Sequence, residues 1–149
     1  MEELTTKGFD ATQYIVVQLG VEQYGIDIQY VDNIVRMQNI TRVPKVAKYI
    51  NGVINLRGEV IPVMSIRLKM GFEVDEFTKN TRIIILKLEQ HGTIGIIVDE
   101  VKEVVNLYNE DIEKFSFDSK DEKSAWLNGI GKFNGQLISL LDLNAVIAE

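Results

Sequence analysis

The sequence has no cysteine, one histidine, one tryptophan and two prolines among its 149 residues. Without cysteine there is no disulfide, zinc ribbon, iron–sulfur cluster or thiol nucleophile. His91 alone cannot build a multi-histidine metal site or two-histidine acid–base chemistry. Basic residues are also in short supply. Sixteen Lys and Arg stand against 22 Asp and Glu, a formal net charge of −6, which argues against the basic face that sequence-independent nucleic-acid binding needs. No apolar run approaches the roughly 18 residues of a membrane span. The opening MEELTTKGFDATQ lacks the basic-then-apolar order of a signal peptide. A cytoplasmic protein without direct membrane contact is therefore expected. No G-x-G-x-x-G, phosphate loop or nucleophile elbow occurs. The acids Asp27, Asp32, Asp99, Glu100 and Asp142 form no catalytic frame. Asp99 is expected to end a strand and cap the next turn, and His91 to sit in an exposed turn. No enzyme, metal or cofactor is expected.

What is present is hydrophobic residue, 46% of the chain, enough for a real core at this length. Tyr14–Leu19 and Tyr24–Ile28 read as a β-hairpin, rich in β-branched and aromatic residues. Ile28, Val31, Ile34 and Val35 then recur at three- and four-residue steps, which predicts a short helix. Ile40–Pro44 should be extended, because proline pushes the residue before it out of helical space, and Lys45–Ile50 should be a helical turn. Gly52–Leu56 and Glu59–Val63 form a second hairpin around Arg57-Gly58, in which Pro62 needs an edge or a bulge. Arg82–Leu88 and Thr93–Val98 form a third. Asn106–Ser124 reads as a loop with a short helix. Gly129–Leu143 holds a fourth hairpin around Asn134-Gly135, a pair that tolerates positive φ. Gly52, Gly58, Asn134 and Gly135 are the expected turn positions.

The two halves repeat each other in order. Ile50-Asn51-Gly52-Val53 parallels Leu127-Asn128-Gly129-Ile130, Gly58 parallels Gly135, and Gly25 parallels Gly95. Ile28, Val31, Ile34 and Val35 parallel Val98, Val101, Val104 and Val105. The expectation is an all-β chain of two small barrels, about 14–80 and 81–147, with strand exchange between them allowed and residues 1–11 as a frayed arm. Halves this short are marginal alone, so a shared hydrophobic interface is expected. The long apolar runs Ile83–Leu86 and Ile94–Val98 suit strands covered on both faces. Two features point outward. Arg57, at a hairpin tip, is either an ordinary surface arginine or a planar donor fork for a partner. The paired V-x-x-V segments are either core or the walls of an apolar groove for a partner helix.

These residues carry a resemblance. Ile40-Thr41-Arg42-Val43-Pro44, then Tyr49–Gly58, then Val60-Ile61-Pro62-Val63 are its most specific part. Gln23–Ile28, Gly95–Val101 and Asn128–Leu143 support it, so that it spans about Gln13 to Ile147. The chain resembles the CheW family of chemotaxis coupling proteins. The resemblance implies two SH3-like barrel subdomains with short helical segments, and a non-enzymatic scaffold joining chemoreceptor cytoplasmic tips to the regulatory domain of the histidine kinase CheA. By resemblance, Ile28, Val31, Ile34, Val101, Arg57 and Ile15 match the receptor-binding groove, and Ile40, Thr41, Val43 and Pro44 match the kinase-binding segment. A second ring contact would fall at Ile112, Phe115 and Phe117, where the chain lacks the prolines and basic residue of the family pattern. The implied protein is monomeric alone and assembles into rings with the kinase at receptor arrays, without nucleic acid. The length leaves no room for the receiver domain of CheV or the catalytic domains of CheA. The rival is a small-barrel nucleic-acid or ligand-binding protein, which would need a basic or aromatic-rich face, and aromatics are 8%.

Overall fold

The computed structural model describes residues 11–73, 76–114 and 126–148. Of the arm expected at 1–11, only Ala11 falls among them. The order is β1 (Thr12–Leu19), β2 (Glu22–Asp27), a 3-10 turn (Ile28–Tyr30), β3 (Val31–Arg36), β4 (Ile50–Leu56), β5 (Glu59–Ser65) and α1 (Ile66–Lys69). There follow β6 (Arg82–Leu88), β7 (Gly92–Val98), β8 (Glu100–Leu107), a 3-10 turn (Asn109–Asp111), β9 (Ile112–Lys114), β10 (Leu127–Phe133), β11 (Gln136–Leu141) and α2 (Leu143–Ile147). The described residues are mostly β, with only short helices among them.

The strands form a six-stranded sheet, β8-β1-β2-β11-β10-β9, and a five-stranded sheet, β3-β6-β7-β5-β4. The β1–β2 hairpin thus joins strands from the second half of the chain, and the β6–β7 hairpin joins strands from the first. Each visiting hairpin enters through a short parallel contact, Tyr24 and Gly25 beside Ser139 and Leu140, and Gly95 to Ile97 beside Val63 to Ser65.

This arrangement explains the unbroken apolar runs. Successive strand residues face opposite sides. In β6, Ile83 and Ile85 enter a core lined also by Ile54, Ile61, Val63 and Ile97, within the five-stranded sheet. Ile84 and Leu86 enter the large core shared with Ile15, Val17 and Ile26 of the other sheet. In β1, Val16 faces a third core with Val105, Leu107, Ile138 and Leu140. Both faces are buried, so neither can be polar.

Two glycines answer the same crowding. A Cβ on Gly25 would lie 2.8 Å from Leu140 Cδ2, and one on Gly95 would lie 2.8 Å from Ile83 Cγ2. Each leaves room for a large aliphatic chain in the small core beside it.

Ile28–Val35 is not the expected helix. Only Ile28–Tyr30 makes a 3-10 turn, and Val31–Arg36 is a strand. A register shift between Val31 and Asn33 inserts one extra residue against β6, so that Val31 faces Leu86 and Ile34 faces Ile84. A bulge turns two-residue alternation into a three-residue step, which imitates helical spacing. β8 does the same. Val101 opposes Val17 and Val104 opposes Ile15, with the shift between Val16 and Val17 of the partner strand.

Other local expectations also need correction. Lys45 adopts φ 60° in a tight turn, and Ile50, the first residue of β4, donates its N–H to Ala47 O at 3.0 Å to close a second turn, so no helix forms there. Gly52 lies inside β4, at a bulge between Ile50 and Gly52, rather than in a turn. Its φ of 146° and the close backbone carbonyl of Thr41 leave no place for a side chain. Over Asn106–Ser124, expected as a loop with a short helix, Asn106 and Leu107 continue β8, Asn109–Asp111 makes a 3-10 turn and Ile112–Lys114 forms β9, while 115–124 lie outside the described residues. Gly58, Asn134 and Gly135 do occupy hairpin turns, with φ values of 80°, 50° and 77°. Pro62 pairs with Val53, whose N–H and C=O are both bonded to Thr41 on the far side. No ladder bond from Pro62 is required there.

Candidate functional site

β8 ends the six-stranded sheet and β3 ends the five-stranded one. Cross-strand partners share a face, so the partners given above place Val31 and Ile34, and likewise Val101 and Val104, on the side of the shared core. Val31 and Val101 are half-buried against that core, as is Ile28. Ile34 and Val104 are the outer members, 36% and 51% exposed. The result is an apolar pair from each half, built by equivalent bulges.

Ile15 is 3% exposed and lies in the shared core. It lies beside Val104 as its cross-strand partner and offers no surface, a correction to its expected place in the groove. Val104, the exposed member of the β8 pair, is not among the residues expected at the groove. Its equivalence to Ile34 in the repeat was the available signal.

Arg57 occupies the first turn position between β4 and β5 with φ 53°, and it is exposed. Its counterpart in the β10–β11 turn is Asn134, a residue that tolerates this conformation, whereas a long side chain is disfavoured there. The turn is tied by Asn55 Oδ1, which accepts from Gly58 N–H at 3.1 Å. No hydrogen bond or ion pair holds the guanidinium among the described residues. Val60, beside the turn, is 64% exposed. The strand order puts this turn and Val31 at opposite edges of one sheet.

The segment expected to meet a kinase runs along the outside of β4. Thr41 N–H and C=O both bond to Val53, each at 2.8 Å. Ile40 turns inward against the small core, while Thr41, Val43 and Pro44 are exposed. Arg42, Val43, Pro44, Lys45, Val46 and Lys48 line a concavity of about 510 Å³ with Asn51. None of its three cations has an ion pair among the described residues. Asn51 Oδ1 is buried without a hydrogen-bond partner. Ile112 is half-buried against the core of Val16 and Leu107, whereas Phe115 and Phe117 lie outside the described residues.

Asp99 does not cap its own turn. Arg67 Nε and NH2 donate to Asp99 Oδ1 and Oδ2 at 2.9 and 2.6 Å, and Gly20 N–H donates to Oδ2 at 2.9 Å. The carboxylate ties α1 to the β1–β2 turn, two residues before Val101. Burial alone would push this carboxyl up, but the hydrogen bonds from Arg67 and Gly20 and the Arg67 charge outweigh it and hold it below the usual range. Burial, then the charges of Asp27 and Glu22, pushes Tyr14 and Tyr24 up, respectively. These shifts move each group away from neutrality, the opposite of what proton transfer at neutral pH needs. His91 is exposed in the β6–β7 turn. Among the described residues no three His, Asp or Glu cluster as a metal site, and no helix is long and apolar enough to cross a membrane.

Comparison with known proteins agrees over nearly the whole chain. Residues 13–149 match the model of the CheW-like domain. The chemotaxis protein CheW of Bacillus subtilis is 35% identical over 133 residues, covering 89% of this chain and 85% of that protein. CheW of Klebsiella aerogenes is 30% identical over 137 residues, covering 92% and 82%. The crystal structure of the scaffolding protein TtCheW from Thermoanaerobacter tengcongensis superposes with a TM-score of 0.83 at 31% identity, covering 93% of each chain.

Proposed function

The chain belongs to the CheW-like family of chemotaxis scaffolds, which are not enzymes, and on that premise we propose that it couples chemoreceptor cytoplasmic tips to the regulatory domain of the histidine kinase CheA. The observation that carries this reading is the apolar pair on each sheet edge, Val31 and Ile34 on β3 and Val101 and Val104 on β8. Each pair has an anchored inner residue and an exposed outer one, the form of a groove for an amphipathic helix. A receptor tip, being helical, fills it. Arg57 stands apart from these pairs, at the opposite edge of the five-stranded sheet; its exposed side chain sits on a backbone conformation that disfavours it, and such local strain fits a residue kept for a separate contact.

The kinase docks on a separate face, at Thr41, Val43 and Pro44. The buried, unpartnered Asn51 Oδ1 beside them supports this, since a partner N–H would complete it. Ile112 belongs to a second kinase contact that closes a ring. The protein works in the cytoplasm, monomeric until recruited to receptor arrays, where many weak contacts add through avidity.

Binding measurements with separate partners test the division. Ile34→Asp and Val104→Asp change exposed residues and should leave the fold intact while lowering affinity for a soluble receptor-tip fragment at least tenfold. Affinity for the CheA regulatory domain should hold. Val43→Asp should do the reverse. Variants that weaken both partners equally, or neither, would refute two separate faces.

A further inference from the structure

The apolar groove residues are related by the internal repeat, so they cannot by themselves dictate which way round a helix lies. Two residues beyond Ile34 and Val104, on the same faces, the repeat breaks. In the six-stranded sheet the cross-strand pair is Gln13 and Asn106, both uncharged. In the five-stranded sheet it is Arg36 opposite Arg82. Like charges directly opposite on neighbouring strands repel, and no carboxylate among the described residues pairs with either arginine or with nearby Lys79. Arg82 is held in place by donating to Lys79 O and Thr81 O at 2.8 and 2.9 Å. The two arginines and Lys79 line a concavity of about 500 Å³. Three cations without a carboxylate partner among the described residues therefore line one concavity on a protein of net charge −6.

We propose that this cluster receives a carboxylate of the docked helical partner and so sets the partner's orientation in a groove whose apolar walls are two-fold alike. The inference rests on the groove reading above and adds the partner's chemistry, an amphipathic helix acidic at one end. Apolar burial supplies affinity for either direction. The charge cluster penalises the reversed one, because a carboxylate there would meet Gln13 and Asn106 while the arginines stayed unpaired.

The test uses the full chain and a soluble receptor-tip fragment spin-labelled near one end of its helical hairpin. Calorimetry gives affinity, and amide broadening near Lys79 and near Asn106 gives orientation. The wild type should broaden at one end only. The Arg36→Gln/Arg82→Gln variant should bind about tenfold more weakly, lose most of its salt dependence and broaden at both ends. Its melting temperature should change little, since relief of the repulsive pair offsets the loss of the Arg82 hydrogen bonds to Lys79 O and Thr81 O. Unchanged affinity with one-sided broadening in this variant, or two-sided broadening in the wild type, would overturn the proposal. Ile34→Asp run in parallel separates the two levels. If it binds as wild type, the groove itself is wrong; if it loses binding while the arginine variant does not, only the orientation fails.

Discussion

Replacing Asp99 by Asn removes one charge from the link between α1 and the β1–β2 turn, and its cost follows from the geometry. Arg67 contributes two short charge-assisted hydrogen bonds to the carboxylate, and the side chains are 18% and 27% exposed. An exposed ion pair contributes about 0–1 kcal/mol, and losing one partner of a fully buried pair costs about 3–5 kcal/mol. This pair lies between, and a hydrogen bond to a charged group is worth about 1.5–3 kcal/mol. Asn retains an acceptor for Gly20 N–H, so the loss falls on the arginine contact. We expect destabilisation of about 2 kcal/mol, or a melting temperature lower by about 4–8 °C at this chain length. The assay is urea unfolding of the wild type, Asp99→Asn, Arg67→Gln and the double variant. Coupling between the two sites should be about 1–2 kcal/mol. The folded carboxyl titrates below its unfolded value of about 3.9. The charge-dependent contribution is therefore full above that value and is lost as pH falls through the lower folded one. The gap between wild type and Asp99→Asn should hold from pH 5 to 8 and close in acid below about pH 4. Coupling under about 0.5 kcal/mol, or a gap independent of acid, would refute the reasoning.

Three further outcomes are expected. Gly95→Ala places a methyl 2.8 Å from Ile83 Cγ2 and should cost about 1–3 kcal/mol by overpacking, measured by denaturant midpoint, with Gly25→Ala similar. Arg57→Asn should stabilise the protein by about 0.5–1 kcal/mol, because Asn tolerates positive φ, yet weaken receptor-dependent kinase activation; normal activation would remove Arg57 from the functional surface. Lys69 Nζ lies 4.2 Å from the Tyr49 ring centroid and 5.5 Å from that of Trp126, and donates to Ala148 O at 2.6 Å. Lys69→Leu should shift the fluorescence of the single tryptophan and cost about 0.5–1 kcal/mol.

Much of the architecture was legible because strand–turn chemistry is local. Arg57-Gly58 and Asn134-Gly135 announce their hairpins, and the runs at Ile83–Leu86 and Ile94–Val98 require cover on both faces. The two apolar pairs of the proposed groove were legible as residues but not as geometry. Val31 and Ile34, like Val101 and Val104, share a face only because bulges shift the register, and a three-residue step has the same look in a helix. Ile15 reads like its neighbours in an apolar run, yet the pleat turns it into the core, while its cross-strand partner Val104 surfaces. Asp99 finds Arg67 thirty-two residues earlier in the chain, a distance over which no local pattern carries information.

The scarcity of cysteine and histidine excluded disulfides, thiol nucleophiles and multi-histidine metal sites, since each needs side chains that the sequence does not supply. Its repeats and motifs also determined its family. Tertiary structure alone decided which sheet each hairpin joins, which apolar residues stay exposed, and where Arg36 and Arg82 are forced together. Those outcomes depend on register between strands distant in sequence, and register is settled by how all the buried faces pack at once.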